Sequence, residues 1–148
     1  MTIPDVNVLV HAYNSDFPGH PAAKRWWEQA LNGGRSSVGL SWASILGFLR
    51  IATSRVALTK PLPVSGAVGI ARSWLGQAAV EVIVPGEGHG EIVFRLLEEI
   101  GAAGNLTTDA HLAALALEYR AEIATTDADF ARFPGVAWFN PVSGKRGR

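Results

Sequence analysis

The chain has 148 residues, 48% of them hydrophobic and 18% charged, which suits one domain with a substantial core and argues against disorder. Its 13 basic and 13 acidic side chains cancel, so no global field attracts nucleic acid and any such binding needs a local basic patch. Cysteine is absent, which excludes disulfides, thiolate zinc sites and cysteine nucleophiles.

The opening residues show no basic stretch leading into an apolar one, so no signal peptide is expected. The apolar runs are short and interrupted by charge or glycine, which points to a cytoplasmic protein. The first element has two readings. Val6, Val8 and Val10 carry the β-branched density of a strand. A strand over Thr2 to Pro4 followed by a helix from Val6 instead puts Asp5 at a strand end, although Pro4 suits a central strand poorly. The second arrangement is the one adopted, because of where it places the acid.

Pro21 sets the first turn of a helix that runs to Leu31 and stops at Asn32-Gly33. Ser36 to Leu40 reads as a strand. Ser41 then caps a helix over Trp42 to Thr53 that is apolar on most faces and therefore buried. Ser65 to Ala79 is expected to be helical, and the β-branched run Val80 to Val84 to be a strand. Gly86 to Gly90 lacks the Lys-Ser/Thr ending of a phosphate loop and reads as a turn. Ile92, Val93, Leu96, Leu97 and Ile100 recur at helical spacing, giving a helix over His89 to Ile100. Thr108 or Asp109 caps the next helix, which reaches about Tyr119, and Ile123 to Thr125 and Val136 to Phe139 are the last strands.

Strands alternating with helices predict an α/β fold, a three-layer sandwich around a mostly parallel sheet. One domain is expected over 1–141, followed by a basic, mobile tail over 142–148. In such sheets, sites form beyond the carboxyl ends of the strands, where the strand order switches direction. Asp5 and Asp127 follow strands, and Asp109 opens a helix, so these acids and Asp129 are predicted to share one pocket. Gathered carboxylates repel one another, and a cation relieves that cost. Mg²⁺ or Mn²⁺ suits an all-oxygen donor set and keeps several waters, so few direct carboxylates are needed. Asp5 and Asp109 are the expected direct ligands, and Asp127 completes the metal site. Asp129 either joins the acids or turns outward to cap a short helix around Phe130.

Arg50 stands on an otherwise apolar helix and is expected to pair with an acid of the pocket or to reach substrate phosphate. The histidines His11, His20, His89 and His111 show no zinc-binding spacing and are read as surface or core residues. Of Trp26 and Trp27, one is expected against the sheet.

The ordered set of the Asp5-x-Asn7 opening, the Asp109-Ala-His-Leu segment and the Thr126-Asp127-x-Asp129-Phe ending resembles the PIN domain. It is most similar to the VapC-type toxin ribonucleases of bacterial toxin–antitoxin pairs, and the segment Leu46 to Val56 resembles a mycobacterial subgroup. The resemblance implies that Asp5, Asp109, Asp127 and Asp129 form the catalytic site, with support from Asn7, Thr125 and Thr126. It also implies a Mg²⁺- or Mn²⁺-dependent endoribonuclease acting on a tRNA or rRNA loop, a VapB-like antitoxin and a homodimer. The family's usual glutamate falls on Gly47 here, which is a departure, and Arg50 matches the basic residue after it.

Two other functions compete. A PIN-fold RNA- or protein-binding module with weakened catalysis draws its support from Gly47. A phosphohydrolase of the haloacid dehalogenase type would carry a D-x-D pair after its first strand, where this chain has Asp5-Val6-Asn7.

Overall fold

The computed structural model describes residues 1–148. In chain order it has β1 (Thr2–Pro4), α1 (Val6–Tyr13), α2 (His20–Leu31), β2 (Val38–Ser41), α3 (Trp42–Ala52) and α4 (Val64–Leu75). There follow β3 (Val80–Ile83), α5 (His89–Ile100), α6 (Leu106–Tyr119), β4 (Glu122–Ala124), a 3-10 turn over Ala128–Arg132, β5 (Trp138–Phe139) and β6 (Arg146–Gly147). The strands form one six-stranded sheet in the order β3-β2-β1-β4-β5-β6. Every pair is parallel except β5 with β6. The chain is α/β with helices on both faces, as predicted. No helix is long and apolar enough to cross a membrane.

Alternation of side chains along the strands divides the interior in two. Ile3, Ile83 and Ile123 face α5, α6 and the aromatic pair Phe130 and Phe133. Val38 and Leu40 face α1 to α4, where Trp27, Phe48 and Trp74 are fully enclosed. Trp74 anchors that second layer, with ring centroids 4.6 Å from Phe48 and 5.5 Å from Trp27. Its indole N–H donates to Tyr13 Oη at 2.8 Å, so a buried polar atom is matched. Trp26 stays partly exposed while Trp27 enters the core.

β1 ends where Pro4 dictates. Thr2 N–H bonds to Ser37 O toward β2, and Asp5 N–H bonds to Ala124 O toward β4. Pro4 takes the next β2-facing place with no N–H to give, and pairing of β1 with β2 stops at Thr2↔Val38. Asp5 then leaves the sheet and α1 begins at Val6. The valines that favour a strand lie on this helix because Val8, Leu9 and Val10 all find buried places there.

Several expected boundaries move. Ser36 adopts a φ of 53°, which breaks an extended run, so β2 starts at Val38. α4 stops at Leu75 because Gly76 caps it. Neither Thr108 nor Asp109 caps α6: the helix begins at Leu106 after Asn105, and both residues lie inside it. Burial of Leu106 and Ala110 against the sheet extends the helix by that turn. The tail expected to be mobile contributes β6, which pairs antiparallel to β5. Gly147 allows this closeness, since a Cβ there would stand 2.7 Å from the Trp138 ring. Arg146 lies over the Phe139 ring at 5.3 Å and approaches Glu122 at 3.7 Å.

Candidate active site

β1 and β4 are central neighbours in register, Pro4 opposite Ala124, and chain segments leave their carboxyl ends in different directions. This is the switch point of the sheet. Asp5 stands at the end of β1 as the N-cap of α1. Its Oδ1 accepts from Val6 N–H at 2.7 Å, and its Oδ2 accepts from Thr125 Oγ1 at 2.8 Å and from Asn7 Nδ2 at 3.3 Å. Only 5% of Asp5 is exposed. Burial pushes its pKa above the ordinary carboxylate value, and nearby Asp127 adds to this, while the bonds from Thr125 and Val6 oppose it.

Thr125 is the hub that the sequence motif understates. It is fully buried, donates to Asp5 and accepts from the Asp127 backbone N–H at 2.9 Å. One hydroxyl thus links the ends of β1 and β4. Asp127 in turn caps the 3-10 turn, its Oδ1 accepting from Asp129 N–H at 2.8 Å. Thr126, the expected support residue, is half-buried and its hydroxyl makes no hydrogen bond within the chain. Side chains alternate across an extended segment, so only one of the two threonines points at Asp5.

Asp109 projects from the first turn of α6. Its pKa is pushed up to about 6, mainly by burial, then by Asp5, Asp127 and Asp129. Asp109 thus lies within the fields of Asp5, Asp127 and Asp129, and Asp5 within that of Asp127, although these residues come from both ends of the chain. Asp129 is the outermost, its side chain 49% exposed and 3.5 Å from Arg132. It both joins the acidic field at Asp109 and turns toward solvent.

Arg50 is not part of this cluster. It is exposed and forms no ion pair. The α3 face at Trp42, Leu46 and Arg50 looks outward, with Trp42 52% and Leu46 57% exposed, so the helix is less enclosed than its composition suggests. Gly47 lies against α1, where a Cβ would stand 2.5 Å from Val6 Cγ2. The place of the family's usual glutamate is thus closed by packing. Ser44, which sequence reasoning passed over, ties α3 to the site: its Oγ donates to Pro4 O at 2.9 Å and meets Ser41 Oγ at 3.0 Å.

The donor set is carboxylate and hydroxyl oxygen, which suits Mg²⁺ or Mn²⁺. No three acidic or histidine groups close on one point as a ready-made cage. An ion that keeps most of its water shell fits such an open site, because it needs only one or two direct carboxylates. The burial of Asp109 and its repulsion by the neighbouring carboxylates are what a cation would offset.

Residues 2–136 match the PIN domain model. Across 96% of the chain and 99% of the relative, the sequence is 44% identical to Ribonuclease VapC33 of Mycobacterium tuberculosis. It is 40% identical to Ribonuclease VapC37 of the same species, over 95% of the chain and 97% of the relative. Solved structures share the fold at lower identity. VapBC2 from Rickettsia felis, bound to a DNA fragment from its promoter, matches with a TM-score of 0.65 and 18% identity, covering 94% and 97% of the two chains. The Mycobacterium tuberculosis toxin VapC20, described as cleaving the sarcin-ricin loop, matches with a TM-score of 0.65 and 17% identity over 88% and 92%. The aspartates at the switch point and these full-length likenesses agree, and the chain belongs to the PIN-domain family, in its VapC ribonuclease branch.

Proposed function

We propose that the protein is the toxin of a type II toxin–antitoxin pair, a Mg²⁺- or Mn²⁺-dependent endoribonuclease that hydrolyses phosphodiesters in RNA. The carrying observation is the pKa of Asp109, up to about 6 through burial and the fields of Asp5, Asp127 and Asp129. Burial first, and the neighbouring carboxylates second, oppose a charge on Asp109, and a hard cation would offset both. Asp5 and Asp109 would hold the ion, and Asp127 would complete its surroundings. A bound divalent ion supplies positive charge to a phosphoryl oxygen and acidity to a water. Thr125 and Asn7 hold the Asp5 carboxylate in one orientation, which would set the direction from which it meets an ion. Asp127, whose backbone N–H donates to Thr125, would complete the metal site or hold a metal-bound water.

The substrate we infer is an accessible loop of tRNA or rRNA, where splayed bases are available to a protein surface. A VapB-like antitoxin would cover the acidic cluster, with a basic side chain in place of the cation. Exposed apolar side chains support protein partners. Trp42 and Leu46, one turn apart on the outer face of α3, are 52% and 57% exposed, and this apolar stripe supports a homodimer.

Purified protein with Mn²⁺ is expected to cleave loop-containing RNA, and Asp109→Asn is expected to leave it intact. Equal cleavage by both, or by neither, would sink the reading. The closed place at Gly47 favours the second reading, a binding module with weakened catalysis. That module would bind RNA without cutting it and would show no response to divalent ions.

A further inference from the structure

A second polar cluster lies on α6, on a different face from Asp109. His111 and Glu118 are two helical turns apart, so both project from one side of the helix. His89, the first residue of α5, enters between them and is 9% exposed. Its Nδ1 is 2.6 Å from Glu118 Oε2, and its Nε2 is 2.8 Å from His111 Nδ1. The carboxylate has no proton to give, so His89 Nδ1–H donates to it. The Nε2 of a neutral His89 is then the acceptor for His111 Nδ1–H. Glu118 Oε1 also accepts from Gly86 N–H at 3.0 Å, which fixes the carboxylate from the loop side.

The rest of α6 explains why such a chain is needed. Its buried positions are Leu106, Ala110, Leu112, Ala113, Ala114, Leu115 and Ala116, nearly a full circumference of the helix. Four of these seven are alanines, which present shallow ridges, so the three leucines carry most of the steric constraint on rotation about the axis. Hydrogen bonds are directional and add to that constraint. Asn105 supplies no side-chain cap, and the bonds at the start of the helix are local ones, Thr107 Oγ1 donating to Gly104 O at 2.8 Å and the Leu106 and Thr107 N–H groups to Ala103 O and Gly104 O, so none of them ties the first turn to another element. Asp109 sits in that turn, only two residues before His111.

We propose that His89 is a positioning residue: bridging Glu118 and His111, it sets the rotation of α6 and thereby the direction in which Asp109 presents its carboxylate. This rests on the metal-dependent reading for its functional consequence, but its structural part stands alone. His89 touches neither substrate nor ion. Second-sphere contacts of this kind govern affinity by holding a ligand's orientation.

The test compares three variants of the full chain by Mn²⁺ titration and by amide exchange across Thr108 to Leu112. His89→Phe keeps an aromatic ring and removes both bonds. It is expected to weaken Mn²⁺ binding on the order of tenfold and to speed exchange in that segment. Glu118→Gln reverses the polarity of the chain but keeps each bond, since its amide N–H donates to His89 Nδ1 and its oxygen still accepts from Gly86. It is expected to retain affinity close to that of the unaltered protein. Tyr119→Phe removes the hydrogen bonds of Tyr119 Oη with Val84 N and O at the far end of α6 and serves as the control for general weakening. It is expected to leave Mn²⁺ binding unchanged. Wild-type affinity and exchange in His89→Phe would overturn the proposal, as would equal loss in Tyr119→Phe. If the unaltered protein binds no Mn²⁺, the metal reading fails, and unchanged exchange in His89→Phe would then overturn the positioning claim independently.

Discussion

The two polar clusters on α6 treat charge in opposite ways. Around His89, each donor meets an acceptor: Glu118 takes bonds from Gly86 and His89, and His89 takes one from His111. Around Asp109, carboxylates gather and no basic side chain enters among them, Arg132 reaching only the outer Asp129. A satisfied cluster stabilises a fold, and an unsatisfied one of a single sign is tolerated where something external completes it. The contrast distinguishes a structural tie from a candidate binding site without reference to any relative.

The largest effect is expected from the sign of the acid cluster itself. In the absence of divalent ions, Asp109 has a pKa of about 6 in the folded protein against an ordinary value of 3.8. Between those values the folded chain holds a proton that the unfolded chain has released. Stability therefore falls as pH rises through that window, and the penalty is complete above about 6. Urea unfolding of metal-free protein should show this decline from pH near 4 to pH near 7, and Asp109→Asn should flatten it. The difference between the two proteins is the readout, because His11 and His111, with pKa values lowered by burial, pull both profiles the other way; a difference that does not change over that window would mean that neither burial nor the other acids perturb Asp109.

Thr125→Val sharpens the comparison from the satisfied side of the same site. The change preserves shape but removes a donor to Asp5 and leaves the Asp127 N–H without its acceptor. A loss of about 1–3 kcal/mol in unfolding free energy is expected. Thr126→Val should cost less, because its hydroxyl bonds nothing in the chain. Arg50→Ala gives the smallest effect. It is expected to change stability by no more than about 0.5 kcal/mol, as for exposed positions away from special contacts. A large destabilisation would restore the ion pair that the sequence suggested.

The sequence exposed more of the site than of its supports. Asp5, Asp109 and Asp127 stand out because each carboxylate interrupts an apolar run. The alternation of strands and helices places two of them at strand ends. Thr125 could not be separated from Thr126 before the face of the extended segment was known. The capping role read into Asp109 failed because cap propensity is local, whereas burial of Leu106 lengthens α6 from outside the segment. The ion pair expected of Arg50 failed for a related reason: its apolar neighbours suggested enclosure, yet Trp42 and Leu46 on the same face are exposed. The chain through His89 was invisible, since His89, His111 and Glu118 match no ligand spacing and meet only when α5 docks on α6. The tail's order depends on Gly147 meeting Trp138, a contact between residues that carry no common motif.

Thermal unfolding of the unaltered protein and Asp109→Asn at neutral pH, each with and without Mn²⁺, tests the central claim most directly. The account predicts that the metal-free variant melts above the metal-free parent, because one of the repelling charges is gone. Mn²⁺ should then raise the parent's melting temperature and leave the variant's nearly unmoved. A variant that melts no higher than the parent, with Mn²⁺ shifting both equally, would contradict an acid cluster completed by a cation.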